Sequence, residues 1–304
     1  MAKKKYLVTG GAGLVGSHIV DALIARGDEV VVFDSFVRGK KKNVNKKAKI
    51  IEGDLRFSWD ISDAMQGIDY VFHQAALCLV DCEKDPFEAI DVNIVGTVNL
   101  LDACIANGVK KIVAASSSSV YGEGYLPTDE LHPFNNYLFY GMTKIADEQL
   151  LRAFYKKYGL DYVAFRYLNV YGPRMDSKGA YMSVIMNFIN KLKAGEQPTI
   201  NGDGTATMDM VYVKDVAKAN LMAMDSQITN EVFNVASGQE TTLNELLFTL
   251  AKLLKVEAYP LYVKRDERLV THRLGCPKKA EKLLGFKCTT SLEDGLKEII
   301  KEAF

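Results

Sequence analysis

Tyr140 and Lys144 stand four residues apart in Tyr140-Gly141-Met142-Thr143-Lys144. On a helix that spacing puts both side chains on one face. A lysine ammonium beside a phenol favours the phenolate and lowers the tyrosine pKa from its usual value near ~10, so Tyr140 is a candidate general base. Such a pair is common on helix surfaces, and its weight comes from its company. Ser116-Ser117-Ser118-Ser119-Val120-Tyr121-Gly122 directly follows the β-branched run Lys111 to Ala114. A hydroxyl there can donate to an oxygen on which charge develops. Thr9-Gly10-Gly11-Ala12-Gly13-Leu14-Val15-Gly16 carries glycines at every third position from Gly10. That spacing suits a tight strand-to-helix turn whose free N–H groups face a pyrophosphate. Asp34 lies 18 residues beyond Gly16. A carboxylate there can accept from both hydroxyls of an adenosine ribose and repels a 2′-phosphate, which favours NAD over NADP. Arg38 and Lys40 nearby leave NADP open.

These residues need a frame that brings them together. Tyr6 to Thr9, Glu29 to Phe33, Lys49 to Glu52, Tyr70 to Phe72, Lys111 to Ala114 and Tyr162 to Phe165 are short continuous apolar runs, as expected of strands buried on both faces. Helical patterns over Leu14 to Arg26, Asp85 to Asn107 and Tyr140 to Tyr158 lie between them, closed by Gly27, Gly108 and Gly159. This alternation predicts an α/β fold, a doubly wound parallel sheet, with a smaller C-terminal lobe. Residues 1–168 and about 211–236 are expected in the dinucleotide-binding domain, and 169–210 with 237–304 in the lobe. Helices are expected at Ser183 to Ala194, Lys214 to Met224 and Thr242 to Leu254, with Val211 to Val213 and Val232 to Val235 returning to the large domain. Gly53-Asp54-Leu55 and His73-Gln74-Ala75-Ala76 follow the third and fourth strands, where Asp54 could meet the adenine amino group and the small residues admit the pyrophosphate. His73 taken alone reads as a satisfied core histidine.

The bulk properties agree. The chain has 304 residues, 48% hydrophobic, and 38 basic against 38 acidic side chains, so it lacks the basic excess of a nucleic-acid binder. The basic run Lys40 to Lys49 reads as a solvated loop. No stretch reaches the roughly 18 apolar residues of a membrane helix, and the start does not read as a signal peptide. Five cysteines without a CxxC pair give no disulfide framework or zinc site, and the expectation is a reduced, cytoplasmic protein with no metal.

In order along the chain, TGGAGLVG, Asp34, GDL, HQAA, SSSSVYG, YGMTK and RYLNVYGPR resemble the extended short-chain dehydrogenase/reductases of the NAD-dependent epimerase/dehydratase family, and UDP-sugar 4-epimerases in particular. The resemblance implies Ser117 as catalytic hydroxyl beside Tyr140 and Lys144. It implies cofactor contacts from Gly10, Gly13, Leu14, Val15, Gly16, Asp34, Ser35, Gly39, Asp54, Leu55, Gln74, Ala75, Ala76, Ser116, Tyr140, Lys144 and Tyr167, with Asn93 a structural asparagine among them. Substrate contacts are implied for Ser117, Ser118, Tyr140 and Asn169, and a homodimer is implied through helices 91–107 and 140–158. Dehydratases of the family carry an Asp-Glu pair before Val-Tyr-Gly; Ser118 and Ser119 stand there instead, and Ser119 also disfavours a decarboxylase. The implied activity is NAD-dependent 4-epimerisation of a UDP-linked sugar (glucose, N-acetylglucosamine or glucuronate type) by transient oxidation at C4. A net dehydrogenase or 4-ketoreductase on a similar sugar shares the same residues, and a non-catalytic NAD-sensing module is the third reading. One departure stands out. Met208 occupies the place of an arginine that clamps the diphosphate, with Arg265 and Arg268 the first candidates to replace it, ahead of Arg174 and Arg273. Arg273 falls close to the position that gates sugar size.

Overall fold

The computed structural model describes residues 3–176, 183–264 and 271–303. The continuous apolar runs become β1 (Lys5–Thr9), β2 (Glu29–Asp34), β3 (Lys49–Glu52), β4 (Tyr70–His73), β5 (Lys111–Ser117) and β6 (Asp161–Tyr167). Beyond them lie β7 (Asn169–Tyr171), β8 (Thr199–Asn201), β9 (Thr207–Tyr212), β10 (Glu231–Val235), β11 (Glu240–Thr242) and β12 (Leu261–Val263). The helices are α1 (Leu14–Arg26), α2 (Ser58–Ala64), α3 (Leu79–Lys84), α4 (Pro86–Ala89), α5 (Gly96–Ala106), α6 (Phe139–Tyr158), α7 (Val184–Ala194), α8 (Val213–Asp225), α9 (Leu243–Leu254), α10 (Lys278–Leu284) and α11 (Leu292–Ala303).

Seven parallel strands form the large sheet in the order β10-β6-β5-β4-β1-β2-β3. Strand order reverses between β1 and β4, and the crevice outside their carboxyl ends is where such sheets bind ligands. The Gly10–Gly16 turn and the Gln74–Ala76 segment border it. One face is filled by Ile19, Val20 and Leu23 of α1 with Val216, Ala219 and Ala223 of α8; the other by Leu100, Leu101 and Cys104 of α5 with Leu151 of α6. A Cβ at Gly16 would strike the Gly10 carbonyl oxygen, so only glycine lets α1 start this close to the turn.

The structure refines or corrects the sequence reading in four places. Val211 and Tyr212 belong to β9, which joins β7 and β11 in a separate three-stranded sheet, while the Val211 side chain packs in the core of the large domain. The apolar run could not show which sheet would take it. Residues 237–304 were expected in the lobe, yet Ala280 and Phe286 complete the core under β10; amphipathic α10 packs where the edge strand needs covering. The short strands β7, β8, β11 and β12 had no sequence signal. Lastly, Pro86–Ala106 is one helical run, π-wound over Ile90–Val95, long and apolar enough by length and composition to cross a membrane. Its interspersed Glu88, Asp91 and Asp102 hid this in the sequence. Its inward side chains lie in the protein core.

α6 is the element that carries Tyr140 and Lys144, and its inward face is charged. Glu148 accepts from Arg166 of β6 through both carboxylate oxygens, at 2.9 and 2.7 Å, with both side chains at or below 5% exposure. Ser116 donates to the same carboxylate at 2.5 Å, and the Arg166 guanidinium also reaches the Tyr121 hydroxyl at 3.1 Å. Removing one partner of such a pair strands a buried charge. Glu148→Ala is therefore expected to lower the unfolding free energy by about 3–5 kcal/mol, measured by urea denaturation. A loss below ~1 kcal/mol, typical of an exposed pair, would show that the pair does not anchor α6.

Candidate active site

The site is a cleft of about 600 Å³ at the crevice. Gly10, Gly13, Leu14, Val15 and Gly16 form its floor with Gln74 and Ala76, and Ser116, Ser117, Tyr140, Lys144 and Tyr167 line its far end. A side pocket of about 160 Å³ continues past Gly10 and Gly13 between Asp34, Ser35, Gly39, Asp54, Leu55 and Ala75. Strand ends thus bring together residues separated by more than a hundred positions.

The side pocket and floor fit a dinucleotide. Asp34 Oδ2 accepts from Ala12 N at 3.0 Å and Oδ1 from Phe36 N at 2.9 Å. Each oxygen keeps acceptor capacity for one of two adjacent hydroxyls. Gly13 caps α1 without a side chain, and the first turn holds no carboxylate, so its N–H groups suit an anion. Asp54 is less open than its sequence position suggested. Both its oxygens are engaged by Arg56, which lowers its pKa against the upward push of burial. The Tyr167 hydroxyl donates to Gln74 Oε1 at 3.1 Å and accepts from Asn220 Nδ2 at 2.8 Å, and so braces the cleft wall.

Gly141 sets the approach of α6. A Cβ there would clash with Asn136 and the Ser119 carbonyl, so only glycine lets the helix start against the serine segment. Tyr140 then lines the cleft with Ser117, and Lys144 lies one turn on. Burial raises the Tyr140 pKa and outweighs Lys144 and Ser117, both of which lower it. In the protein without cofactor the phenol therefore holds its proton above the ordinary range, although Lys144 acts on it in the expected direction. Burial pushes the Lys144 ammonium down, but Asp147 and Tyr140 together leave it raised.

Other expected residues fall elsewhere. Asn93 does not line the cleft. It is buried, accepts from Leu77 N at 2.7 Å and donates to Leu77 O and Thr143 Oγ1, each at 3.1 Å. It ties the loop after β4 to α6, as a structural asparagine does. Asn169 donates to Asp209 O at 3.2 Å, tying β7 to β9, while its neighbours Leu168 and Val170 line the cleft. Ser118 lines a small adjoining cavity that shares Leu168 with the cleft. Arg265 and Arg268 lie outside the described residues. Met208 packs against the lobe core. His73 is the satisfied core histidine expected: it bridges Thr9 Oγ1 and Thr97 Oγ1 at 2.8 and 3.0 Å, and burial, with Lys144 nearby, lowers its pKa to about 3.

Sequence reasoning missed Asp209, fully buried and accepting from Ser237 N, Gly238 N and Gly275 N at 2.8, 3.1 and 3.1 Å. It gathers two loops, at Ser237-Gly238 and at Gly275, onto β9, and an acid inside the apolar strand Thr207–Tyr212 was the available signal. Asp147 was also missed and is taken up below.

Residues 6–236 match the profile of the NAD dependent epimerase/dehydratase family. The chain belongs to that family. Among solved structures similar to this family member is a UDP-N-acetylglucosamine 4-epimerase from Methanobrevibacter ruminantium M1 in complex with UDP-N-acetylmuramic acid. It is 37% identical, with TM-score 0.94, over 100% of this chain and 99% of that one. A UDP-glucose 4-epimerase of Thermotoga maritima with UDP-glucose is 35% identical, with TM-score 0.94 and 98% of each chain covered. A UDP-glucuronic acid 4-epimerase of Bacillus cereus, in complex with UDP-glucuronic acid and NAD, is 29% identical, with TM-score 0.90 and 98% of each chain covered. The epimerase/dehydratase fold accordingly places this chain's crevice at the cofactor site of an NAD-dependent family.

Two outcomes are expected. Tyr140→Phe should reduce turnover by roughly 10²–10⁴-fold, the usual contribution of a general base, while NAD affinity by titration stays unchanged; near-normal turnover would remove Tyr140 from that role. Cofactor-stripped protein should bind NAD at least about tenfold (~1.4 kcal/mol) more tightly than NADP. Equal affinities would mean that Arg38 or Lys40 outweighs Asp34.

Proposed function

We propose that this protein is an NAD-dependent 4-epimerase of a UDP-linked sugar, acting through Ser117, Tyr140 and Lys144. The observation that carries the reading is their convergence at the far end of the cleft, beside the Gly10–Gly16 turn, with Ser118 and Ser119 where a dehydratase needs carboxylic acids. Tyr140, as phenolate, takes the proton of the sugar 4-hydroxyl. Ser117 donates to that oxygen while it becomes a carbonyl. Bound NAD supplies the hydride acceptor for the first half-cycle and the donor for the return. When the 4-keto sugar has turned over, Tyr140 gives its proton back to the oxygen and the products carry no net redox change.

Arg273 favours a sugar bearing a carboxylate. Burial lowers its guanidinium pKa, and among the described residues no carboxylate pairs with it. With Ser118, Ser119 and Tyr137 it lines the cavity that adjoins the cleft at Leu168. A half-buried guanidinium that no carboxylate among the described residues pairs can take an anionic group of the ligand in a charge-assisted contact, so a uronate is the proposed preferred sugar. Arg174 lines the cleft and pairs with Asp21 at 2.5 Å, and its Nη1 is buried without a partner. It joins Arg265 and Arg268 as a proposed diphosphate contact.

The proposed assembly is a homodimer through the helices around 91–107 and 140–158, where Phe87, Ile90, Val95 and Tyr158 are exposed. Free thiols at all five cysteines support a proposed cytoplasmic location.

Product NMR on UDP-glucose, UDP-N-acetylglucosamine and UDP-glucuronate, without added cofactor, tests the reading. The 4-epimer should form, with the highest kcat/KM for the uronate. Arg273→Ala should cut that value at least about tenfold (~1.4 kcal/mol) and spare UDP-glucose. Absence of any epimer sinks the epimerase assignment, and accumulation of keto sugar with released NADH would replace it by net dehydrogenation. An Arg273→Ala effect equal on all three sugars would end the carboxylate argument alone.

A further inference from the structure

Lys144 sits between two acids on one helix. Tyr140 is one turn before it, and Asp147 is one turn after, with Asp147 Oδ2 at 3.0 Å from the ammonium. The Lys144 and Asp147 side chains are 2% and 4% exposed. Asp147 Oδ1 has no hydrogen-bond partner; Thr97 stands beside it, with its hydroxyl donated to Asn93 O. A carboxylate this deep and half satisfied is tolerable only beside a fixed positive charge. An ammonium has three N–H groups. Asp147 takes one and leaves two for the cleft.

We propose that Asp147 is a positioning residue. It is the counter-ion that holds Lys144 and damps its pull on Tyr140, so that the base is unmasked only when a positively charged cofactor ring lies in the cleft. The surroundings offer no substitute. Tyr140 is faced by Ser117, by Cys78, by Cys82 and Glu83 of α3, and by Tyr167. None of these is a cation. Lys144 is faced by Tyr140, Asp147, Cys82 and His73, the last of them neutral. Glu148, next to Asp147, is already matched by Arg166. Lys144 is thus the only cation among these groups that acts on Tyr140, and Asp147 is the carboxylate paired with it.

The inference rests on the assignment of Tyr140 and Lys144 to the redox step, and its test includes a readout without turnover. Asp147→Asn is isosteric and removes the charge. In the purified holoenzyme, the acid limb of the kcat/KM profile should move to lower pH by about one unit, a roughly tenfold change in proton affinity. After removal of bound cofactor, the phenolate absorbance of Asp147→Asn, taken as the difference from the same variant carrying Tyr140→Phe, should show the same downward shift against wild type. A purely structural role would lower the plateau at every pH and leave both midpoints in place, and that result overturns the proposal. An upward shift overturns it too, because Asp147 would then act only by keeping Lys144 protonated. Asp147→Ser, which leaves room for a water, gives the same readouts if the asparagine variant does not fold. A phenolate shift in a protein that epimerises nothing would keep the coupling and discard the function.

Discussion

Burying the Glu148 carboxylate under the cleft costs several kcal/mol unless a partner meets it in place. Arg166 does so with two parallel hydrogen bonds, and Ser116 adds a third. This contact ties α6 to β5 and β6 one turn beyond Lys144. Everything chemical on α6 inherits its placement from that anchor. The inward face runs Gly141, Lys144, Asp147, Glu148 and Leu151, spaced as an apolar stripe would be but filled largely by charges. The helix is held by paired charges at its working end and by ordinary burial only near Leu151.

The same economy recurs at the crevice. Reversal of strand order between β4 and β1 leaves a gap that neither flanking helix covers. The turn after β1 enters it with backbone amides, and Asp34 stands at its far edge with acceptor capacity to spare. Positive ends of dipoles suit phosphates, and a carboxylate with spare acceptor capacity suits hydroxyls.

The lobe works through one buried acid of its own. Asp209 draws the backbone amides of Ser237, Gly238 and Gly275 together. It thereby sets where the segment bearing His272 and Arg273 meets the serine run after β5. The cavity beside the cleft is thus a joint between two sheets, lined by Ser118 and Ser119 from one side and His272 and Arg273 from the other.

The strands of the large sheet and the helices α1, α6, α7, α8 and α9 were legible in the sequence because their signals are local: β-branched runs, glycine stops and apolar periodicity each depend on neighbours within one turn or strand. The glycine turn, Asp34 and the Tyr140–Lys144 pair were legible for the same reason, since their spacing is their geometry. What only the tertiary structure decided depends on distant partners. β9 chose the small sheet because β7 and β11 offered it edges there. α10 joined the large core because β10 left an edge uncovered. Asn93 became a tie between Leu77 and Thr143, and Asp147 became the ion-pair partner of Lys144. Whether a carboxylate on a helix is solvated or buried against an ammonium turns on which way the face points. In α6 the periodicity marks the inward face, but only the packing of that face against β5, β6 and the Asn93 turn shows that charges were put there in matched pairs.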